Sequence, residues 1–209
     1  MSNAWGFRDG LESTPGSELE GGADVDGLAV HAVVGERRQA ILLDLVPDAA
    51  IDRESAGQGV GAADIHRIIV RIAQGGNSGV KYFVLEDQPA AIGHEYQLID
   101  DERHPDAKIG PHRQTAAFYD VMQAHDRPIK PAGEWNTSEV IVRGKHVTHI
   151  LNGKTVLEYD LESPALKEAI AKSKFKDIAR FGTPQSGHIL VQDHGDAVWY
   201  RKIEIQRLK

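Results

Sequence analysis

Two short segments of this 209-residue chain place titratable and amide side chains at alternate positions. In His94-Glu95-Tyr96-Gln97-Leu98-Ile99-Asp100, Glu95 and Gln97 share one parity while Tyr96 and Leu98 share the other. In His188-Ile189-Leu190-Val191-Gln192-Asp193-His194-Gly195, His188, Leu190, Gln192 and His194 share a parity that excludes Ile189 and Val191. A β-strand sends alternate side chains to opposite faces, so each segment would carry an apolar side for a core and a side bearing carboxylate, amide or imidazole. Such groups transfer protons and hold hydroxyls, the parts of a general acid–base site. A plainer reading competes, because an antiparallel sheet commonly keeps one polar face in water. Solvated faces are usually rich in Lys, Thr and Ser, whereas these carry Glu, Gln and His, which favours a site if both strands lie in one sheet.

Other polar clusters carry less chemistry. Gly75-Gly76-Asn77-Ser78-Gly79 is a glycine-flanked turn from which Asn77 could reach over a sheet edge, or simply turn the chain. Asp100-Asp101-Glu102-Arg103-His104-Pro105-Asp106 offers oxygen and imidazole ligands but lacks the glycine and final glutamate of an EF-hand loop, so it reads first as a salt-bridged loop. Asp24-Val25-Asp26-Gly27 is a short acidic turn of a kind that matches calcium-site fragments by chance. The GxSxG, P-loop, dinucleotide and HExxH signatures are absent, which removes the sequence basis for a serine hydrolase, NTPase, Rossmann dehydrogenase or zincin. Absence of cysteine excludes thiol catalysis and thiolate metal sites.

The elements that must position these groups are short. Runs at 65–72, 80–85, 95–99, 137–142, 146–151, 155–159, 188–192 and 198–208 are β-branched or aromatic and are separated by turn residues, the spacing of an all-β sandwich. Earlier apolar runs at 28–34 and 40–46 are read as strands on the same grounds. Asn152-Gly153 between two strand-like runs predicts a type I′ hairpin. Ser163-Pro164 supplies an N-cap and first-turn proline to a helix over 165–174. The net charge of -7 speaks against nucleic acid as a partner. The longest apolar run, at 40–46, is broken by Asp44 and is far short of a membrane span. Met1-Ser2-Asn3-Ala4 reads as an expression-vector remnant, followed by a single domain over 5–209.

Three further segments join those already quoted: Gly133-Glu134-Trp135-Asn136, Val156-Leu157-Glu158-Tyr159 after the Asn152-Gly153 turn, and Gln192-Asp193-His194-Gly195 leading into Val198-Trp199-Tyr200-Arg201. With the Gly75 to Val80, Glu95 to Asp100 and Glu102 to Ala107 segments, in this order over 65–208, the chain resembles the 3-keto-disaccharide hydrolase family. Members are also described as 3-keto-glycoside 1,2-lyases or 3-keto-2-hydroxy-glucal hydratases. The resemblance implies a concanavalin A-like jelly roll of two antiparallel sheets, with a sugar site on the concave sheet. Two departures stand out. The family commonly has Arg-Asn before its last strand where this chain has Arg201-Lys202, and residues 8–63 match the family's first strands poorly.

The chemistry so implied starts from a glycoside oxidised to a ketone at C3, which acidifies the C2 proton. A base removes that proton, the aglycone leaves C1, and water adds to the resulting enone; no protein nucleophile is needed. By family position and side-chain type, Glu95 or His194 is the base and the other the acid. Asn77, Gln97 and Gln192 bind sugar oxygens, Arg201 stabilises charge, and Trp135 supports the sugar plane or belongs to the core. Asp100 and His104 are the candidate ligands for a divalent metal ion, or order their loop, the reading favoured here. The expected surroundings are an extracytoplasmic, periplasmic location in a bacterium, downstream of a sugar 3-oxidoreductase. Two alternatives are a non-catalytic carbohydrate-binding jelly roll and a sandwich that has lost activity.

Overall fold

The computed structural model describes residues 64–85, 90–183 and 187–207, together with four short strands among the first 47 residues. Those four are β1 (Glu18–Leu19), β2 (Leu28–Ala29), β3 (Ala40–Leu43) and β4 (Val46–Pro47). Next come β5 (Asp64–Ile72), β6 (Asn77–Val84), β7 (His94–Ile99) and, after a long loop with two 3₁₀ turns, β8 (Trp135–Arg143). The chain continues through β9 (His146–Leu151), β10 (Lys154–Asp160), α1 (Pro164–Lys172), β11 (His188–Asp193) and β12 (Val198–Arg207). All eight runs expected from residue 65 onward form strands, and β2, β3 and the start of β4 fall within the two earlier runs.

Local chemistry explains the punctuation. Asn152 and Gly153 take φ of 49° and 80°, the left-handed pair that a type I′ turn requires. The Ser163 hydroxyl accepts the Leu166 N–H at 3.2 Å, and Pro164 fills the first turn of α1. The helix stops two residues short of its expected end, at Ser173, whose hydroxyl donates to the Ile170 carbonyl at 2.8 Å.

The strands form a six-stranded sheet ordered β1-β12-β5-β8-β9-β10 and a four-stranded sheet ordered β3-β11-β6-β7, with β2 and β4 paired separately. Every pairing is antiparallel except that of β1 with β12. The result is the jelly-roll sandwich expected. Ile68, Val70, Val140, Val147 and Val198 of the larger sheet meet Val80, Tyr82, Tyr96, Leu98, Ile189 and Val191 of the smaller, all at most 6% exposed.

A buried polar chain crosses this core and ties the sheets together. His149 Nδ1 lies 2.8 Å from the Ala116 carbonyl, His149 Nε2 lies 2.7 Å from the Tyr82 hydroxyl, Tyr82 and Tyr159 hydroxyls are 2.6 Å apart, and Tyr159 reaches His94 Nδ1 at 2.9 Å. A carbonyl only accepts, so His149 Nδ1 carries the proton and its Nε2 accepts from Tyr82. Tyr159 then donates to Tyr82, and His94 donates from Nδ1 to Tyr159. In this arrangement His94 Nε2 keeps a bare lone pair, which matches its lack of any partner. Burial lowers both histidines, His94 to about 3 and His149 to about 4, so both are neutral in the folded protein.

Candidate functional site

The outward face of the four-stranded sheet is built by register. Gln192 of β11 lies opposite Gly79 of β6, which lies opposite Gln97 of β7. In the neighbouring row Leu190, Lys81 and Glu95 are aligned, and Asn77 faces Ile99. Antiparallel partners project to the same side, so Asn77, Gln97, Gln192 and Glu95 converge as the alternation requires, with Lys81 added. Lys81 was missed from sequence although it has the parity of Asn77 and Gly79.

This face is not a solvated exterior. Glu95, Gln97 and Asn77 keep only 5%, 1% and 5% of their exposure, which rules out the plainer reading for these three. The loop after β7 lies along that strand: Ala116 N–H donates to the Gln97 carbonyl at 2.8 Å, Gln97 N–H to Ala117 at 3.1 Å, and Tyr119 N–H to Glu95 at 3.0 Å. This pairing also closes what would otherwise be a free sheet edge.

Glu95 sits over Gly79. A Cβ at residue 79 would come within 2.9 Å of the Glu95 Cγ and Cδ and would overlap a carboxylate oxygen, so the missing side chain is what gives the carboxylate its place. Burial pushes the Glu95 carboxyl above its ordinary value; Lys81, whose Nζ is 3.8 Å away, opposes this most strongly, followed by Lys174 and His194. The Gln97 amide donates to Asn77 Oδ1 at 2.8 Å, which turns the Asn77 NH₂ and the Gln97 oxygen towards other partners.

A charged cluster on the covering loop flanks Glu95. Tyr119 donates to Asp106 at 2.8 Å, Arg113 bridges Asp106 at 2.6 Å and Asp120, and the Lys174 ammonium stacks 4.0 Å from the Tyr119 ring. Asp120 also accepts the Lys174 backbone N–H at 2.7 Å, which anchors the segment following α1 here. No sequence signal links Lys174 to Glu95 across this separation.

His194 is exposed just past β11, its ring 6.5 Å from that of His104 in an edge-on arrangement. His104 Nδ1 accepts the Asp106 N–H at 3.1 Å, which leaves the proton on Nε2. Asp100 accepts N–H groups from Gly75 at 2.8 Å, Glu102 at 3.0 Å and Arg103 at 3.2 Å, with the Arg103 guanidinium at 3.4 Å. Burial alone would raise the Asp100 carboxyl, but these donors together hold it below the ordinary value. Among the described residues no three His, Asp or Glu side chains are grouped as metal ligands. The acidic turn at Asp24 to Gly27 lies outside the described residues.

Trp135 and Arg201 do not join this face, which corrects their placement beside Glu95. They lie on the outer side of the six-stranded sheet, across the core, where the Arg201 guanidinium stacks 4.0 Å over the Trp135 ring. Their parity opposes that of core residues Tyr200 and Ser138, so both point outward, but from the other sheet. At the Arg-Asn departure the backbone disfavours the residue that this chain carries. Lys202 is exposed at the bulge between Arg201 and Glu204 with φ of 49°, a conformation asparagine tolerates better than lysine.

Comparison with known proteins fits this architecture. A 3-keto-disaccharide hydrolase of Bacteroides thetaiotaomicron is 36% identical over 162 residues, covering 66% of this chain and 56% of the relative. The chain thus spans a little over half the length of that curated relative. The crystal structure of a candidate glycosyl hydrolase from Parabacteroides distasonis superimposes with a TM-score of 0.65 at 28% identity, covering 73% of this chain and 75% of the other. A second from the same organism gives 0.56 at 25% identity, covering 83% and 85%. Residues 65–206, which contain the whole described face, match the 3-keto-alpha-glucoside-1,2-lyase-like domain, and the chain belongs to that family.

Proposed function

We propose that the chain cleaves 3-keto-glycosides by elimination followed by hydration. The observation that carries this reading is Glu95, a buried carboxylate seated over Gly79 beside Lys81 and in register with Gln97 and Asn77. Burial strengthens Glu95 as a base, which suits removal of a ketone-acidified C2 proton. The electron pair passes to the keto oxygen as an enolate, which the Asn77 NH₂ is placed to receive. As the enolate collapses, the C1–O bond breaks and His194 at the rim gives a proton to the leaving aglycone. Water then adds across the new double bond, and the sum of the two steps is hydrolysis. On this reading a lyase name describes the first step and a hydrolase name the sum of both.

Gln97 and Gln192 hold sugar hydroxyls, and Lys81 positions and partly neutralises Glu95. Asp100, with four N–H donors already on it, orders the loop together with His104 and is not offered as a metal ligand. The substrate must come from a reaction that oxidises a sugar at C3, and the family's carbohydrate chemistry suits an extracytoplasmic setting. No helix among the described residues is long and apolar enough to cross a membrane.

The test is turnover of a 3-keto-glycoside with a chromogenic aglycone, against the unoxidised glycoside, with and without EDTA. Release from the keto substrate alone, unaffected by EDTA and reduced about 100-fold to 10,000-fold in Glu95→Gln, is expected. Release from both substrates, or full activity in Glu95→Gln, overturns the mechanism. Loss with EDTA overturns the loop-ordering role of Asp100. Sugar binding without turnover identifies a non-catalytic module.

A further inference from the structure

Arg67, Arg71 and Arg201 sit on the outer face of the six-stranded sheet in two different settings. Arg67, at one end, is bracketed by Glu139 at 3.3 Å and Glu204 at 3.5 Å. Arg71 and Arg201, at the other end, have no carboxylate partner among the described residues. Tryptophan flanks them instead. Trp199, Arg71 and Trp135 lie directly opposite one another on β12, β5 and β8, and the Arg71 guanidinium is 4.2 Å from the Trp199 ring and 4.9 Å from the Trp135 ring. Arg201, two residues further along β12 and opposite Ile69, reaches across to stack on Trp135 at 4.0 Å, so the two indoles and two guanidiniums form one contiguous patch.

Stacking occupies the flat faces of a guanidinium and leaves its in-plane N–H groups available, the fork geometry that takes a carboxylate in two hydrogen bonds. The Nε atoms of Arg71 and Arg201 are buried without an acceptor, so the patch is incomplete in hydrogen bonding as it stands. Two cations without a carboxylate partner among the described residues are also notable on a chain of net charge -7. All four side chains are half-buried and fixed by neighbours on a rigid sheet, and their patch spans three strands, a breadth that suits an extended ligand better than a single small ion.

We propose that Arg71, Arg201, Trp135 and Trp199 form a second saccharide-binding surface, selective for an oligosaccharide carrying carboxylate groups, such as a uronate. The carboxylates bind the guanidinium edges and the sugar rings lie against the indole margins. The choice of a saccharide over other carboxylates rests on the carbohydrate reading of the opposite face. The surface itself lies across the core from Glu95 and does no chemistry. It would hold the enzyme on an acidic glycan while the other sheet acts.

The chain contains three tryptophans, and two of them are in this patch, so binding has a built-in reporter. The experiment titrates the Trp5→Phe protein with trigalacturonate, following tryptophan fluorescence and the two indole N–H resonances by NMR, with maltotriose as the neutral control. Both indole signals should shift saturably with trigalacturonate and not with maltotriose. Arg71→Gln and Arg71→Lys should each weaken binding about tenfold, because lysine keeps the charge and loses the planar fork. Glu95→Gln should bind as the parent does, and Arg71→Gln should retain 3-keto-glycoside turnover. Absence of any indole shift up to about 10 mM, a dissociation constant too weak to matter, overturns the proposal without requiring any variant of the patch itself to fold. Binding lost in Glu95→Gln but kept in Arg71→Gln also overturns it, by assigning the ligand to the other sheet. Failure of wild-type turnover alone would refute the catalytic reading and leave this surface standing.

Discussion

The buried histidine chain makes acid stability a quantitative consequence of the structure. His94 and His149 titrate at about 3 and about 4 in the folded protein, against an ordinary value of 6.5. Folding therefore depresses both, and their contribution is complete above pH 6.5 and lost as pH falls towards 4 and then 3. Between those limits the unfolded chain binds two more protons than the folded one at these sites. Each proton contributes about 1.4 kcal/mol per pH unit, so the pair gives a slope of about 2.7 kcal/mol per unit and a loss of about 5 kcal/mol from pH 7 to 4.5. A typical domain has only about 5–15 kcal/mol in total, so this loss is decisive. Asp100 and Asp106, whose carboxyls are held low, destabilise in the same direction but only below about pH 4, where the unfolded carboxylates protonate. His146, raised by Asp160 and Glu158 at an exposed position, and Glu95, raised by burial, work in the opposite sense. Urea unfolding followed by circular dichroism at half-unit steps from pH 7 to 4.5 measures the slope. His94→Phe keeps the stack on Phe118, now 4.4 Å between ring centroids, removes one titrating group, and should lower the slope by about 1.4 kcal/mol per unit. A slope unchanged in His94→Phe would refute the neutral-histidine chain.

Three other outcomes follow from the same geometry. Gly79→Ala should displace the Glu95 carboxylate while leaving the sheet intact, lowering kcat about 100-fold with a melting temperature within a few degrees of the parent; an unchanged kcat removes Glu95 from the chemistry. Lys81→Met takes away the main cation opposing the rise in the Glu95 pKa, so the acidic limb of the pH–rate profile should move to higher pH; a shift to lower pH would contradict the placement of Lys81. Lys202→Asn should stabilise the fold by about 1 kcal/mol in urea unfolding, with activity unaltered, because φ of 49° suits asparagine. A gain in turnover would instead give the family's asparagine a role in the site.

Much of this protein was legible residue by residue. β-Branched and aromatic runs between turn residues located β5 to β12, Asn152-Gly153 located the hairpin, and Ser163-Pro164 located the start of α1, because each depends on preferences of a few adjacent residues. Alternation also divided Glu95 and Gln97 from Tyr96 and Leu98 correctly. Lys81 was readable by the same rule, since it has the parity of Asn77 and Gly79.

What alternation cannot supply is the identity of the sheet. Trp135 and Arg201 point away from the core as surely as Glu95 does, yet β8 and β12 pair with β5 while β7 pairs with β6, so the two outward faces lie on opposite sides of the sandwich. Burial was equally non-local: Glu95 is enclosed because residues 116–119 pair along β7 and Lys174 is anchored at Asp120, contacts between distant parts of the chain. The amino-acid sequence by itself determined which residues form strands and which side of each strand is polar, since those depend on neighbouring side chains. Only the tertiary structure decided which polar sides share a surface and which are buried, since strand pairing and loop coverage join residues that no local pattern connects.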